Sequence, residues 1–425
     1  MSNSDVLVIG AGVAGIEASL LLANAGKKVY LVEKAPLIGG NTIKYEEVFP
    51  NMECSTCMIA PKQQEVLQNE NIELLTLSTI EQVKGEIGDF TVTVCKKARY
   101  VSVVDCIGCG MCFEPCPVSL KNEFEENLSE KKAIFVPCPG SLPNVPAIDP
   151  EHCLQLNGKK TCNACAEACM FGAIDLSDKD EKMELKVGAI IVASGFDTID
   201  PAGFPQYGYG KHPNVYTAME MERLYASNGP TEGKITLRQG DRTPKSIAII
   251  HCVGREQQGY CSSICCMNSL KMAHYLKDKI HDAEIYDFHS DLCIPGKYNQ
   301  KFYQDVKEEG INFINSPIEK IDINGNGNGV TVGYMNGKDE KEVVSADMVI
   351  LSLAMINGKD SANLSKILGI EQDKRGFFLN QSQLGAVDTN KPGIFIAGCA
   401  EGPKDVSGSI TQAEAAVGKI MAYFQ

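Results

Sequence analysis

Asp5–Glu33 reads DVLVIGAGVAGIEASLLLANAGKKVYLVE, and its punctuation sets the fold. Asp5 to Ile9 is a short apolar run, the mark of a buried strand. Gly10, Gly12 and Gly15 follow in G-x-G-x-x-G spacing, and an Ala/Leu-rich segment, Ile16 to Ala25, reads as a helix ending at Gly26. Lys28 to Val32 makes a second strand, closed by Glu33, 21 residues past Gly12. Glycines let backbone approach a pyrophosphate at the helix N-terminus, and an acid closing the second strand accepts hydrogen bonds from a ribose. A glycine triplet alone could be mere tight turning; between strand and helix, with Glu33 behind it, it predicts a dinucleotide site. Val13 and Ala14 in the turn, and Lys34 beside Glu33, are expected at that site.

Beyond this segment, three further stretches resemble flavoproteins built from two dinucleotide-binding domains and favour FAD over NAD. Ile38-Gly39-Gly40 resembles their flavin-side loop. Ala189 to Gly195 (AIIVASG) resembles their apolar strand ending in A-T-G, with Ala193 and Gly195 at the cofactor and Ser194 in place of Thr. Gly393 to Gly398 (GIFIAG) resembles the strand that meets the ribityl chain, with Cys399 where Asp is usual. The last helix, about Ser409 to Phe424, would point its positive end at the flavin. The expected fold class is α/β, a thioredoxin/glutathione reductase-like flavoprotein with two dinucleotide-binding domains, interrupted by an insert.

The insert announces itself by cysteines. The chain has 425 residues, ordinary globular composition (44% hydrophobic, 22% charged) and 18 cysteines. Its length suggests two or three domains at roughly 150 residues each. Met1 to Asp5 is polar and precedes a strand, so no signal peptide is expected, and the longest apolar stretches, such as Val187 to Phe196, are too short to span a bilayer. A cytoplasmic location is expected, with any membrane association supplied by partner subunits. A net charge of -14 offers no basic face for nucleic acid. In such a chain cysteines point to metal or redox chemistry rather than disulfide staples.

Cys106, Cys109, Cys112 and Cys116-Pro117 form C-x2-C-x2-C-x3-C-P, the bacterial ferredoxin run, in which the fourth cysteine serves the other cluster. Cys153, Cys162, Cys165 and Cys169 form a second set. One [4Fe-4S] cluster is therefore expected on Cys106, Cys109, Cys112 and Cys169, and another on Cys153, Cys162, Cys165 and Cys116. A zinc site or a single cluster is the alternative, and Cys138 competes with Cys153 as first ligand. The block lies between the strand Phe90 to Val94 and the strand at Ala189, so a ferredoxin module interrupts the flavin domain.

A third group, Cys252, Cys261, Cys265 and Cys266, stands where a second dinucleotide domain would keep its glycines. Lys245 to His251 reads as a strand and Met267 to Lys279 as a helix, with no G-x-G-x-x-G between them. Either a third [4Fe-4S] cluster replaces the pyridine nucleotide, or these are buried or zinc-binding thiols, since neighbours such as Cys265 and Cys266 diverge by about 100° on a regular helix. Cys54-x2-Cys57 is open between a redox dithiol, ligands shared with a partner, and inert thiols. Cys95, Cys138, Cys293 and Cys399 read individually as small buried residues. Asn324 to Gly329 (NGNGNG) reads as a hairpin turn.

These motifs together resemble the A-type subunits of heterodisulfide reductases, the HdrA family, including their counterpart in the quinone-interacting membrane-bound oxidoreductase. The resemblance covers essentially the whole chain, including Phe49-Pro50 with Cys54-x2-Cys57 and Pro61-Lys62, Cys252-Val253-Gly254-Arg255 with Tyr260 to Cys266, and Ala397-Gly398-Cys399 with Gly402-Pro403-Lys404-Asp405. It implies FAD, three clusters, and an oxidoreductase subunit that works within a complex, in some members by electron bifurcation. Implied partners are other members of the complex and a low-potential carrier such as ferredoxin; alternatives are a link to the menaquinone pool or a stand-alone NAD(P)H-dependent reductase. Lys404 matches a family lysine at the flavin N5 edge, a catalytic position where a cation favours the reduced flavin. The implied organisation is 1–98, 178–240 and 357–425 for the FAD-binding domain, 99–177 for the ferredoxin insert, and 241–356 for a degenerate NAD(P)-type domain carrying a cluster.

Overall fold

The computed structural model describes residues 3–239, 242–326 and 329–424. The opening stretch folds as read: strand β1 (Val6–Ile9), helix α1 (Val13–Asn24) and strand β2 (Val29–Val32). They centre a five-stranded parallel sheet in the order Ile394–Ile396, Ala189–Val192, β1, β2, Ile72–Leu75. Most of these strands are apolar on both faces, as a sheet covered on both sides requires. On one face α1 packs against helix α2 (Ser55–Gln68) and the closing helix Val406–Tyr423, burying Ile16, Leu20, Ala413, Ala416 and Ile420. That last helix starts three residues before the expected Ser409, capped by the Asp405 carboxylate, which accepts the Gly408 N–H at 2.7 Å.

The other face carries a three-stranded antiparallel sheet of Ser78–Glu86, Asp89–Lys96 and Glu181–Val187. Lys96 leads into the insert, and Glu181, directly opposite it, leads out. The neck is pinned where Asp180 accepts the Ala98 N–H at 3.0 Å and pairs with Lys97 at 2.6 Å. Within the insert, Val101 and Ile174 bridge the two ends, and Val101, Ile134, Val145, Ile148 and Ala173 form a small core completed by cysteines.

The second domain is another parallel sheet, ordered Val215–Thr217, Met348–Leu353, Ser246–Val253, Glu284–His289, Asn312–Asn315. Val215–Thr217 falls inside 178–240, which the sequence assigned wholly to the flavin domain; its register with Val349–Leu351 puts it in the second sheet. A three-residue strand is too short to declare its partner by pattern. Ahead of the expected hairpin, Ile318–Lys320 forms a turn of 3-10 helix. Asp322–Asn326 and Gly329–Met335 then pair antiparallel, as a hairpin requires, while Gly327 and Asn328 of the expected turn lie outside the described residues.

Candidate functional site

The carboxyl ends of β1, β2 and Ala189–Val192 open onto a cavity of about 990 Å³. It is lined by Gly10, Gly12, Val13, Ala14, Glu33, Lys34 and Gly40 from the first βαβ unit, by Ala193, Ser194 and Gly195, and by Gly398, Cys399 and Ser409. This is where an open α/β sheet binds ligands. The glycines divide their labour. A Cβ on Gly15 would sit 1.8 Å from the Gly10 carbonyl oxygen, and one on Gly10, at φ +101, would sit 2.4 Å from the Ala193 oxygen, so both are needed for packing. A Cβ on Gly12 would meet nothing nearer than the Gly40 Cα at 3.9 Å, so Gly12 keeps space clear on the ligand side. Gly39, at φ +116, shapes the loop without lining the cavity.

Glu33 closes the turn: its carboxylate accepts the N–H groups of Ala11 and Ala35, both at 2.8 Å. Burial pushes this acid above its ordinary value, against the pull of those two donors. The Ser194 Oγ, on the cavity wall, is buried with no hydrogen-bond partner among the described residues, which leaves a polar handle for a ligand. The volume, the cleared face of Gly12 and this unpartnered hydroxyl fit a dinucleotide as large as FAD. Cys399 is buried on the wall, its thiol directed at the Lys404 carbonyl at 3.4 Å. Lys404 itself pairs with Glu401 and is not among the lining residues.

Sequence reasoning missed what the insert contributes here. Asn122, Phe124, Lys131 and Phe135 wall the same cavity. Lys131 Nζ stands 4.0 Å from the centre of the Phe135 ring and pairs with Glu123. No signal short of a three-dimensional arrangement ties these residues to a glycine turn about 110 positions upstream.

The insert's eight motif cysteines gather around two small cavities. Cys106, Cys109, Cys112 and Cys169 line one, with Val101, Met111, Phe171 and Ile174. Cys116, Cys153, Cys162 and Cys165 line the other, with Ile134, Ile148 and Leu154. Each set thus draws its fourth member from the opposite run. Cys138 lies at neither; it is buried, with its N–H donated to the Ser141 Oγ. Burial pushes the Cys112 thiol up to about 12 and Cys165 up to about 11, so apolar walls alone would keep them protonated. Multivalent iron would reverse that preference, and four thiols are the donor set a cubane takes.

In the second domain the strand Ser246–Val253 carries Cys252, at φ 55, and Cys265 and Cys266 open the helix Cys265–Lys279. Although adjacent, both reach the Cys252 thiol from the start of the helix. Hydrogen bonds from Cys252 and Cys265 hold the Cys266 thiol far below its usual value. Cys252 is lowered by its contact with Cys265 but raised by Cys266 and by burial, and ends pushed up to about 12. Cys293, read from sequence as an isolated buried residue, is half-buried, touches Cys261 and donates its N–H to Cys266 at 3.4 Å. Five thiols therefore gather here. Behind them His251 is fully buried; burial alone would lower it, but the Asp287 carboxylate 2.8 Å from Nε2 pushes it up to about 10. The loop is tied to the crossover between domains: Tyr260 donates to the Met355 carbonyl at 2.5 Å, and the Ser262 Oγ accepts the Met355 N–H at 3.0 Å.

A family model described as FAD dependent oxidoreductase matches residues 5–53, and one described as Pyridine nucleotide-disulphide oxidoreductase matches residues 144–419. The chain belongs to the pyridine nucleotide-disulphide oxidoreductase family. Within that family its resemblance to the heterodisulfide reductase A-type subunits runs end to end. It is 38% identical to the A-type subunit of the H(2):CoB-CoM heterodisulfide,ferredoxin reductase of Methanothermobacter marburgensis, over 98% of this chain and 63% of that one. It is 40% identical to an iron-sulfur A-type subunit of the CoB--CoM heterodisulfide reductase of Methanopyrus kandleri, over 97% of this chain and 63% of that one. The chain thus spans somewhat under two thirds of the length of these relatives. In three dimensions it resembles the thioredoxin reductases of Lactococcus lactis (TM-score 0.54, 15% identity, 99% of this chain and 98% of that one) and T. acidophilum (TM-score 0.54, 13% identity, the same coverage). The fold is therefore that of a flavoprotein with two dinucleotide-binding domains. No helix among the described residues is long and apolar enough to cross a membrane.

Proposed function

We propose that the chain is the FAD- and iron-sulfur-carrying electron-transfer subunit of a heterodisulfide-reductase-like oxidoreductase complex, with one flavin and three [4Fe-4S] clusters. The observation that carries this reading is the sorting of eight cysteines around two cavities in an insert that also walls the glycine-lined cavity. A flavin supplies two-electron chemistry that can be split into single-electron steps, and clusters accept single electrons. Gly10, Gly12, Val13, Ala14, Glu33 and Lys34 would hold the dinucleotide, Ala193, Gly195, Gly398 and Cys399 its flavin half, and Lys131 would offer positive charge from the wall. Cys252, Cys261, Cys265 and Cys266 would hold the third cluster, in the loop where a nicotinamide pyrophosphate would need glycines.

Around the Cys106 set, Val104, Ile107, Met111 and Met170 are exposed, which supports hand-over to a protein partner or a ferredoxin-like carrier at that edge. Bifurcation at the flavin is the finer form of this proposal. Iron and acid-labile sulfide analysis of anaerobically purified protein should return about 12 iron atoms and one flavin per chain. A result of about 8 would remove the second-domain cluster. Rapid bleaching of the flavin by NADH would overturn the replacement of a nicotinamide site by thiols.

A further inference from the structure

The thiols gathered in the second domain outnumber by one the four that a cubane takes. Three of them form a fixed set. Cys252 stands at the end of the strand Ser246–Val253, Cys265 and Cys266 open the helix Cys265–Lys279, and each of the three touches the other two. Regular elements hold such side chains more firmly than loops do. Cys261 and Cys293 are placed differently. Both lie outside helices and strands, Cys261 on the segment that enters the helix and Cys293 beyond the strand Glu284–His289. Both are half-buried, and their thiols touch each other. The Ser263 N–H donates to the Cys261 Sγ at 3.3 Å, and the Cys293 N–H donates to the Cys266 Sγ at 3.4 Å. Arg255 pairs with Asp291 at 3.0 Å and so ties the two segments together. Two sulfurs on irregular backbone thus stand beside the one place that the fixed three leave open.

We propose that Cys261 and Cys293 are interchangeable fourth ligands of the second-domain cluster, each completing the set that Cys252, Cys265 and Cys266 begin. The exchange presupposes the cluster proposed above for this domain. In it the Cys293 sulfur binds iron and its proton passes to water, while the Cys261 sulfur leaves iron and takes a proton. No electron moves, and the site keeps its charge. One half-buried thiol of the pair is free at any moment, so its alkylation or oxidation leaves the other in place on the metal.

The test measures iron, acid-labile sulfide and flavin on anaerobically purified holoprotein carrying Cys261→Ala, Cys293→Ala or both substitutions. The wild type and both single variants should hold about 12 iron atoms per chain, and the double variant about 8 with its flavin retained. A single variant that falls as far as the double one would overturn the exchange, as would a double variant that keeps the wild-type content. About 8 atoms in the wild type itself would remove the cluster, and the exchange with it. Brief treatment of the wild-type holoprotein with iodoacetamide, followed by peptide mapping, needs no variant to fold. Label should appear on Cys261 in some chains and on Cys293 in others, with the iron content unchanged. Label confined to one of the two, or loss of iron on labelling, would overturn the exchange while leaving the cluster standing.

Discussion

Gly12 and Gly15 occupy one motif, yet a methyl group added to each meets different surroundings, and the two substitutions should separate binding from folding. Gly15→Ala drives its Cβ against the Gly10 carbonyl and should cost about 3 kcal/mol in urea unfolding. Gly12→Ala meets open space and should change stability by less than about 0.5 kcal/mol. It should nevertheless purify with little flavin, because the added carbon stands where the pyrophosphate must lie. A second residue-scale effect is pH-dependent. Asp347 accepts Arg242 at 2.6 Å and the Lys245 N–H at 2.7 Å, and the Arg242 hydrogen bond, chiefly, holds its carboxyl below the ordinary 3.8. A depressed acid contributes stability above its unfolded value and loses it as pH falls through the folded one. With Arg242 substantially exposed, Asp347→Asn should cost roughly 1 kcal/mol at neutral pH. That difference should vanish as unfolding is measured at pH values falling below 3.8.

At the scale of elements, one buried ion pair joins the insert to the second domain. Arg223, on the helix Ala218–Tyr225, grips Glu125 of the insert through Nε at 2.8 Å and Nη2 at 3.1 Å, with both side chains almost wholly buried. Removing one partner strands a buried charge, so Arg223→Ala should cost about 3–5 kcal/mol by denaturant unfolding. The double variant Arg223→Met with Glu125→Leu should recover most of that loss. The sequence holds no hint of this pair, because its members lie 98 residues apart and neither belongs to a motif. By contrast, the strands flanking the insert are legible as apolar runs, since a buried strand needs its pattern whatever it pairs with.

For the whole molecule, the antiparallel match of Lys96 with Glu181 makes the insert excisable in principle. Joining these residues through an Asn-Gly turn, with Arg223→Met to relieve the orphaned cation, should leave a chain with two dinucleotide-type domains. Circular dichroism should show it folded, and iron analysis should give at most about 4 atoms per chain. Its flavin should wash out more readily than in the intact protein, since Phe124, Lys131 and Phe135 leave the cavity wall with the insert. Retention of flavin at wild-type strength would mean that this wall contributes nothing to binding.

Legible along the chain were the parts whose chemistry is local. A turn that brings backbone against a pyrophosphate needs its glycines within a few residues, and a loop that wraps a cluster needs its thiols at close spacing, so both leave compact signatures. Only the folded molecule shows that Cys293 joins the second-domain thiols, that Val215–Thr217 pairs into the second sheet, that Lys404 pairs with Glu401, and that the insert walls the glycine-lined cavity. Most of these are contacts between segments distant along the chain. Chain spacing constrains such a meeting only through the folding of everything between.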